Sequence, residues 1–282
     1  MRKHTMGLLA MAAATTLTLS ACGGAEVGGE SEGEETAAGG EGITIGIKYD
    51  QPGLGLQDGA EYTGFDVDVA KYVANELGYS EDQITFKETP SANREAMLQN
   101  GDVDMIFATY SITDERKEVI DFAGPYFVAG QDLLVAADNT DITGPEDLEG
   151  KNLCSVTGST SAEKIKTDYA EGVQLLERPG YAECVTALSA GQVDAVTTDD
   201  IILAGLAAAN GDGNLKVVGN PFSEENYGVG LPKGDDRCED INAAITKMID
   251  EGAWEDAVAA NTEGTDYTPN ADLNPPTPEA CA

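Results

Sequence analysis

The chain has 282 residues and carries 51 acidic against 16 basic side chains, a formal charge of −35 at neutral pH. This balance excludes a nucleic-acid binder, which needs a basic face to displace counterions from phosphates, and it keeps copies of the chain apart, so a monomer is expected. An apolar content of 41% is enough to bury real cores, and the length admits one large domain or two ordinary ones.

Residues 1–21 carry Arg2, Lys3 and the only histidine, His4, ahead of an apolar run over residues 6–19. The run is short for a bilayer span and its basic start predicts an export signal. Leu19-Ser20-Ala21-Cys22-Gly23 is similar to a bacterial lipobox, after which Cys22 becomes the first residue and carries diacylglycerol. An ordinary signal peptide with an incidental cysteine is the alternative. Two acyl chains anchor stably, which places the expected protein on the outer face of the cell membrane. Loss of the leader also removes His4, so triads, proton shuttles and zinc sites built on histidine are excluded. Residues 22–42, rich in Gly, Glu, Ala and Ser, have almost nothing to bury and predict a flexible acidic tether reaching roughly 25 Å.

Strands and helices alternate from Ile43 onward, the pattern of an α/β fold. A strand over residues 43–47 leads to a loop with Pro52, Gly53 and Gly55. A helix over 65–77 follows, with Phe65, Val69, Val73 and Leu77 on one stripe and Gly78 placed to stop it. Next come a strand over 84–87, a short helix over 92–100 with Ser91 as its cap, and an apolar strand over 103–108. Further strands are expected over 151–156 and 215–218, with helices over 181–190, 236–250 and 254–260. The proline-rich residues 265–282 predict an irregular tail.

An exported chain folds in an oxidising space, where Cys154, Cys184, Cys238 and Cys281 are free to pair. Of the three pairings, Cys154 with Cys184 inside one lobe and Cys238 with Cys281 tying the tail to the last helices are expected. Their spacings are long and no CxxC occurs, so neither a metal site nor a cofactor is expected.

Leu98-Gln99-Asn100-Gly101-Asp102-Val103-Asp104-Met105-Ile106 recurs as Leu188-Ser189-Ala190-Gly191-Gln192-Val193-Asp194-Ala195-Val196. Both copies read as a helix end, a glycine cap and a buried strand. A real repeat means two similar lobes whose loops at 109–116 and 197–200 face each other, because ligands of open α/β sheets bind beyond the carboxyl ends of the strands.

Gly64-Phe65-Asp66-Val67-Asp68-Val69-Ala70, Ser111-Ile112-Thr113-Asp114-Glu115-Arg116 and Gly191-Gln192-Val193-Asp194-Ala195-Val196-Thr197-Thr198-Asp199 together resemble the family 3 solute-binding proteins of amino-acid ABC importers. The segments 49–54 and 155–160 look like the actinobacterial glutamate-binding lipoproteins of that family. The resemblance implies a two-lobed, periplasmic-binding-protein-like (type II) α/β fold with a hinge and a ligand cleft. Its first lobe would span residues 43–129 plus 228–282 and its second residues 130–227. It also implies a binding protein with ABC permease subunits as partners. Arg116 matches the arginine that grips the ligand α-carboxylate, a role its planar guanidinium suits. Thr160 and Ser161, at the start of an expected helix, add donors to that carboxylate. Asp199 matches the partner of the α-ammonium, assisted by Ser111 and the backbone beside Ala108, with Thr109 preserving a hydroxyl usual at its position. Gly53-Leu54 replaces the aromatic common after the loop proline.

Lys48 at the end of the first strand and Arg94 at the start of the second helix add two cations where a cleft is expected. One α-carboxylate needs one arginine, so the extra charge points to an acidic side chain, L-glutamate above aspartate or their amides. Solvated surface positions for Lys48 and Arg94 are the alternative. An enzyme on the same scaffold, of dehydratase or cell-wall lytic type, is the rival function, disfavoured by the lack of histidine. A sensory ligand-binding lipoprotein is the third.

Overall fold

The structure is a computed structural model and describes residues 42–169 and 172–281. The expected leader, Cys22 and the acidic tether lie outside the described residues. In chain order the elements are β1 (Ile43–Ile47), β2 (Asp50–Gln51), β3 (Gly55–Asp58), β4 (Glu61–Thr63), α1 (Phe65–Glu76), β5 (Ile84–Glu88), α2 (Arg94–Gln99), β6 (Met105–Ile106), α3 (Asp114–Lys117), β7 (Asp121–Ala129) and β8 (Gln131–Ala136). There follow β9 (Asn152–Val156), α4 (Thr160–Asp168), β10 (Gln174–Arg178), α5 (Tyr181–Ser189), β11 (Ala195–Asp199), α6 (Asp200–Asn210), β12 (Leu215–Val217), β13 (Glu225–Leu231), α7 (Cys238–Asp250) and α8 (Ala253–Thr262).

Two five-stranded sheets organise these elements, in the orders β5-β1-β6-β13-β7 and β10-β9-β11-β8-β12. In each, a central strand pairs in parallel with two neighbours, β1 with β5 and β6, and β9 with β10 and β11. This two-lobed α/β architecture is the fold class expected from the sequence. A small antiparallel sheet, β2-β3-β4, lies between β1 and α1 in the chain.

The internal repeat is built identically in both sheets. Asp104 Oδ2 accepts from Thr44 N at 2.7 Å, and Asp194 Oδ2 accepts from Asn152 N at 2.7 Å. The preceding glycines, Gly101 and Gly191, adopt φ of 70° and 67°, the left-handed turn that ends each helix before the strand.

The chain crosses from the first sheet to the second at Gly130 and returns over residues 218–224. The two crossovers lie side by side: Phe222 N donates to Gln131 O at 2.8 Å and Gln131 N donates to Ser223 Oγ at 3.0 Å. Buried Asp132 clasps the returning segment, its Oδ2 accepting from Gly219 N and Asn220 N, both at 2.9 Å.

Aromatic packing fills the first lobe. Phe65 meets Trp254 edge-on at 5.8 Å between centroids, Phe127 stacks on Trp254 at 5.9 Å, and Trp254 Nε1 donates to Tyr126 O. The disulfides join Cys154 to Cys184 and Cys238 to Cys281, the expected pairing. The tail is irregular and lies against the first lobe, where Asn274 exchanges two hydrogen bonds with the Val128 backbone and Glu279 N donates to Gly124 O.

Two local expectations are corrected. The helix expected over 92–100 opens as a 3-10 turn at Ser91–Asn93, and Ser91 does not cap it; its hydroxyl instead accepts from Lys48 Nζ at 3.1 Å. The strand expected over 103–108 is regular only at Met105–Ile106; beyond it Phe107 N still donates to Gly46 O at 2.8 Å, and Ser111 forms an isolated bridge with Tyr227 of β13.

Candidate functional site

A narrow gap of about 10 Å³ between the lobes is lined by Ser91, Arg94 and Thr109 of the first and by Ser159, Thr160, Ser161, Tyr181, Thr198, Asp199 and Ile202 of the second. Its walls are the ends of parallel strands and the first turns of the helices after them. That placement follows from topology, since side chains at the carboxyl ends of β1, β6, β9 and β11 project past the sheets toward each other.

Charges gathered here are buried. Lys48 is 3% exposed, Arg94 3%, Arg116 8% and Asp199 3%, so Lys48 and Arg94 are not solvated surface groups. Burial pulls Lys48 down to about 8, with Asp50 opposing and Arg94 adding to the fall. Burial also lowers Arg94 to about 10, helped by the neighbouring Arg116 guanidinium. Arg94 Nη1 donates to Ala108 O at 2.9 Å, while its Nε is buried without a hydrogen-bond partner among the described residues. Buried polar atoms are nearly always paired in folded proteins, so such an orphan points to a missing partner.

Arg116 is held from three sides. Its Nε donates to Glu95 Oε1 at 3.1 Å, Nη1 to Ser111 O at 2.7 Å, and Nη2 reaches across the lobes to Gly158 O at 3.1 Å. It lies in α3, whose first turn is capped by Thr113 Oγ1 accepting from Arg116 N. Ser111 Oγ and Thr160 Oγ1 face each other across the cleft at 3.4 Å.

Thr160 begins α4, and Ser159 rather than Thr160 caps that helix by accepting from Ala162 N at 3.0 Å. The Thr160 and Ser161 amides of the first turn therefore remain among the unpaired donors of a helix N-terminus. Ser161 O accepts from Gln131 Nε2 at 3.2 Å.

Asp199 ends β11. Its Oδ2 accepts from Tyr227 OH, and its Oδ1 is buried without a partner among the described residues. Burial, reinforced by the nearby Glu225 carboxylate, raises its carboxyl well above the usual range. An ammonium supplied at Oδ1 would reverse that penalty.

Thr109 adopts φ 46°, an uncommon left-handed value for a threonine. Asp66 secures it, Oδ2 accepting from Thr109 N at 2.9 Å while Oδ1 accepts from Tyr126 OH at 2.7 Å. Thr109 Oγ1 and Arg94 Nη1 both donate to Ala108 O, so the carbonyl expected to assist an ammonium already accepts two bonds. The loop over 52–54 brings no aromatic ring; Leu54 is buried in the first lobe.

Arg94, Thr109, Thr160, Ser161 and Asp199 thus share one gap, with Lys48 joined to it through Ser91 and with Ser111 and Arg116 at its rim. Sequence reasoning passed over Ser91, Gln51, Tyr110, Tyr181 and Tyr227. Gln51 is buried, its Oε1 lies 3.3 Å from Thr109 Oγ1, and its Nε2 is unpartnered among the described residues. Apart from polarity within apolar surroundings, nothing in the sequence marks these positions.

The chain is 45% identical to the glutamate-binding protein GluB of Corynebacterium efficiens over 92% of each chain. It is 39% identical to the ABC transporter glutamine-binding protein GlnH of Bacillus subtilis, over 90% of this chain and 95% of that one. Among solved structures, an ancestral arginine-binding protein bound to glutamine superposes with a TM-score of 0.72 at 34% identity, over 77% of this chain and 96% of the other. These relatives are binding proteins, not enzymes. Residues 43–260 match the bacterial extracellular solute-binding proteins, family 3, and the chain belongs to that family.

Proposed function

We propose that the cleft binds an acidic amino acid, L-glutamate above aspartate, glutamine or asparagine, and that the protein delivers it to an ABC permease from the outer face of the cell membrane, anchored through lipid on Cys22. One observation carries the ligand assignment: three buried cations, Lys48, Arg94 and Arg116, share the cleft region with the buried carboxylates of Asp66, Asp199 and Glu225, of which Asp199 alone keeps a buried oxygen without a partner among the described residues. This set complements one ammonium and two carboxylates. Glutamate and glutamine binding by relatives supports the α-amino-acid head, and the extra cations favour the acid over the amide.

In this reading Asp199 Oδ1 takes the ammonium. Arg116 exchanges the Gly158 carbonyl for the α-carboxylate, which also meets the Thr160 and Ser161 amides and the Ser111 hydroxyl. Lys48 and Arg94 take the side-chain carboxylate, with Thr109 alongside. Gripping one molecule from both lobes draws them together, a hinge closure that marks the loaded state for a partner.

Calorimetric titration of the full-length protein with the twenty amino acids tests the reading. Glutamate is expected to bind tightest, in the micromolar range or below, and retained glutamate affinity in Arg116→Ala would sink it. Mass spectrometry of the mature N-terminus checks lipid on Cys22, and an unacylated wild-type terminus would remove the anchor.

A further inference from the structure

Tyr110 sits between two cleft residues, Thr109 and Ser111, yet its ring belongs to the apolar cluster of Leu98, Val103, Ile106, Ala108 and Ile120. It is wholly buried and meets Phe122 edge-on with centroids 5.0 Å apart. Room for it is made by Gly230 on β13, where a β-carbon would stand 2.7 Å from Tyr110 Cε1.

Two guanidiniums lie against this one ring, Arg94 with Cζ 4.0 Å and Arg116 with Cζ 4.9 Å from its centroid. Like charges so placed repel one another. Arg116 has Glu95 as a counter-ion at 3.1 Å, whereas Arg94 has a single backbone carbonyl and no ion pair among the described residues. The electron-rich face of the ring is therefore the group in direct contact that offsets the charge of Arg94, with the Glu95 carboxylate acting from further off, and a desolvated contact of this kind is the strongest form of cation–π attraction.

We propose that Tyr110 is a positioning residue for ligand recognition, its π face holding Arg94 and Arg116 at a fixed spacing so that they meet the two carboxylates of one dicarboxylic amino acid. This rests on the reading of the cleft given above. Tyr110 touches no ligand in this role; it acts through the two arginines.

The test is calorimetric titration of the full-length protein with glutamate and with glutamine, for the wild type, Tyr110→Phe and Tyr110→Leu. The ring without its hydroxyl should keep both affinities within about threefold, while Tyr110→Leu should weaken glutamate on the order of tenfold and glutamine less. In an Arg94→Gln background the leucine exchange should no longer alter the glutamate-to-glutamine ratio. Pentafluorophenylalanine at position 110 keeps the ring's shape and reverses its quadrupole, so it covers a leucine variant that does not fold, and it should lower the same ratio. A wild-type ratio in either the leucine or the fluorinated protein, or a Tyr110→Phe variant as impaired as Tyr110→Leu, overturns the proposal while leaving the function intact. A wild type that does not bind glutamate overturns both.

Discussion

Tyr227 OH donates to Asp199 Oδ2 at 2.5 Å, joining a return strand of the first sheet to the carboxylate that ends β11 in the second. The bond spends one oxygen of Asp199 and fixes its orientation, which leaves Oδ1 buried with nothing to meet among the described residues. Tyr227→Phe should weaken amino-acid binding on the order of tenfold by releasing that orientation and leaving the carboxylate less satisfied. Calorimetry with glutamate reads the loss, and unchanged affinity would mean that Asp199 is held by other means.

Arg94→Gln removes a charge and keeps a donor, so it should weaken glutamate on the order of a hundredfold and glutamine far less. Competition between the two ligands measures the ratio. Equal losses would show that Arg94 does not read the side chain.

Lys48 titrates at about 8 because burial favours its neutral form. Glutamate should bind the charged form, so affinity should fall as pH rises through about 8, with proton uptake on binding in that region. Lys48→Met should bind more weakly at pH 7 and show no such fall. A flat wild-type profile between pH 7 and 9 would remove Lys48 from recognition.

Asp66 is raised to about 6, first by burial and in spite of its bonds from Tyr126 and Thr109. A carboxyl with a folded pKa above its unfolded value stabilises fully below the unfolded pKa and loses that contribution as pH rises through the folded one. Stability of the ligand-free protein should therefore decline between about pH 4 and 7, by on the order of 3 kcal/mol from this group. Asp200, also raised to about 6 by burial, acts in the same direction. Denaturant midpoints across that range check the slope, and Asp66→Asn should flatten it.

Gly158 stands where the lobes nearly touch: a β-carbon there would lie 2.7 Å from Ala92 Cα, and its φ of 79° disfavours any other residue. Gly158→Ala should oppose this approach of the lobes and weaken glutamate on the order of tenfold, and the left-handed backbone should cost it about 1 kcal/mol of stability besides. Small-angle scattering with saturating glutamate should show a more open body than the wild type.

The repeat around Asp104 and Asp194, the alternation of strands and helices and the motifs that place Arg116 and Asp199 were legible in the sequence because each rests on local pattern. Glycine must follow a helix that turns left-handed into a strand, and an apolar run of strand length must be buried, wherever in the fold they occur. Even the excess cations at Lys48 and Arg94 stood out against so acidic a chain.

The tertiary structure alone decided what those residues face. Ser91 looked like a helix cap and holds Lys48; Tyr110 looked like a core aromatic and lies under two guanidiniums; Tyr227, far along the chain, orients Asp199. Each role arises between segments distant in sequence, brought together by two crossovers and by sheet order. Residue type fixes what a side chain can donate, accept or bury, but its partner is chosen by packing, and burial then sets its charge. For this protein the sequence determined the fold and the kinds of group available, and the meeting of the lobes decided which of them form the cleft.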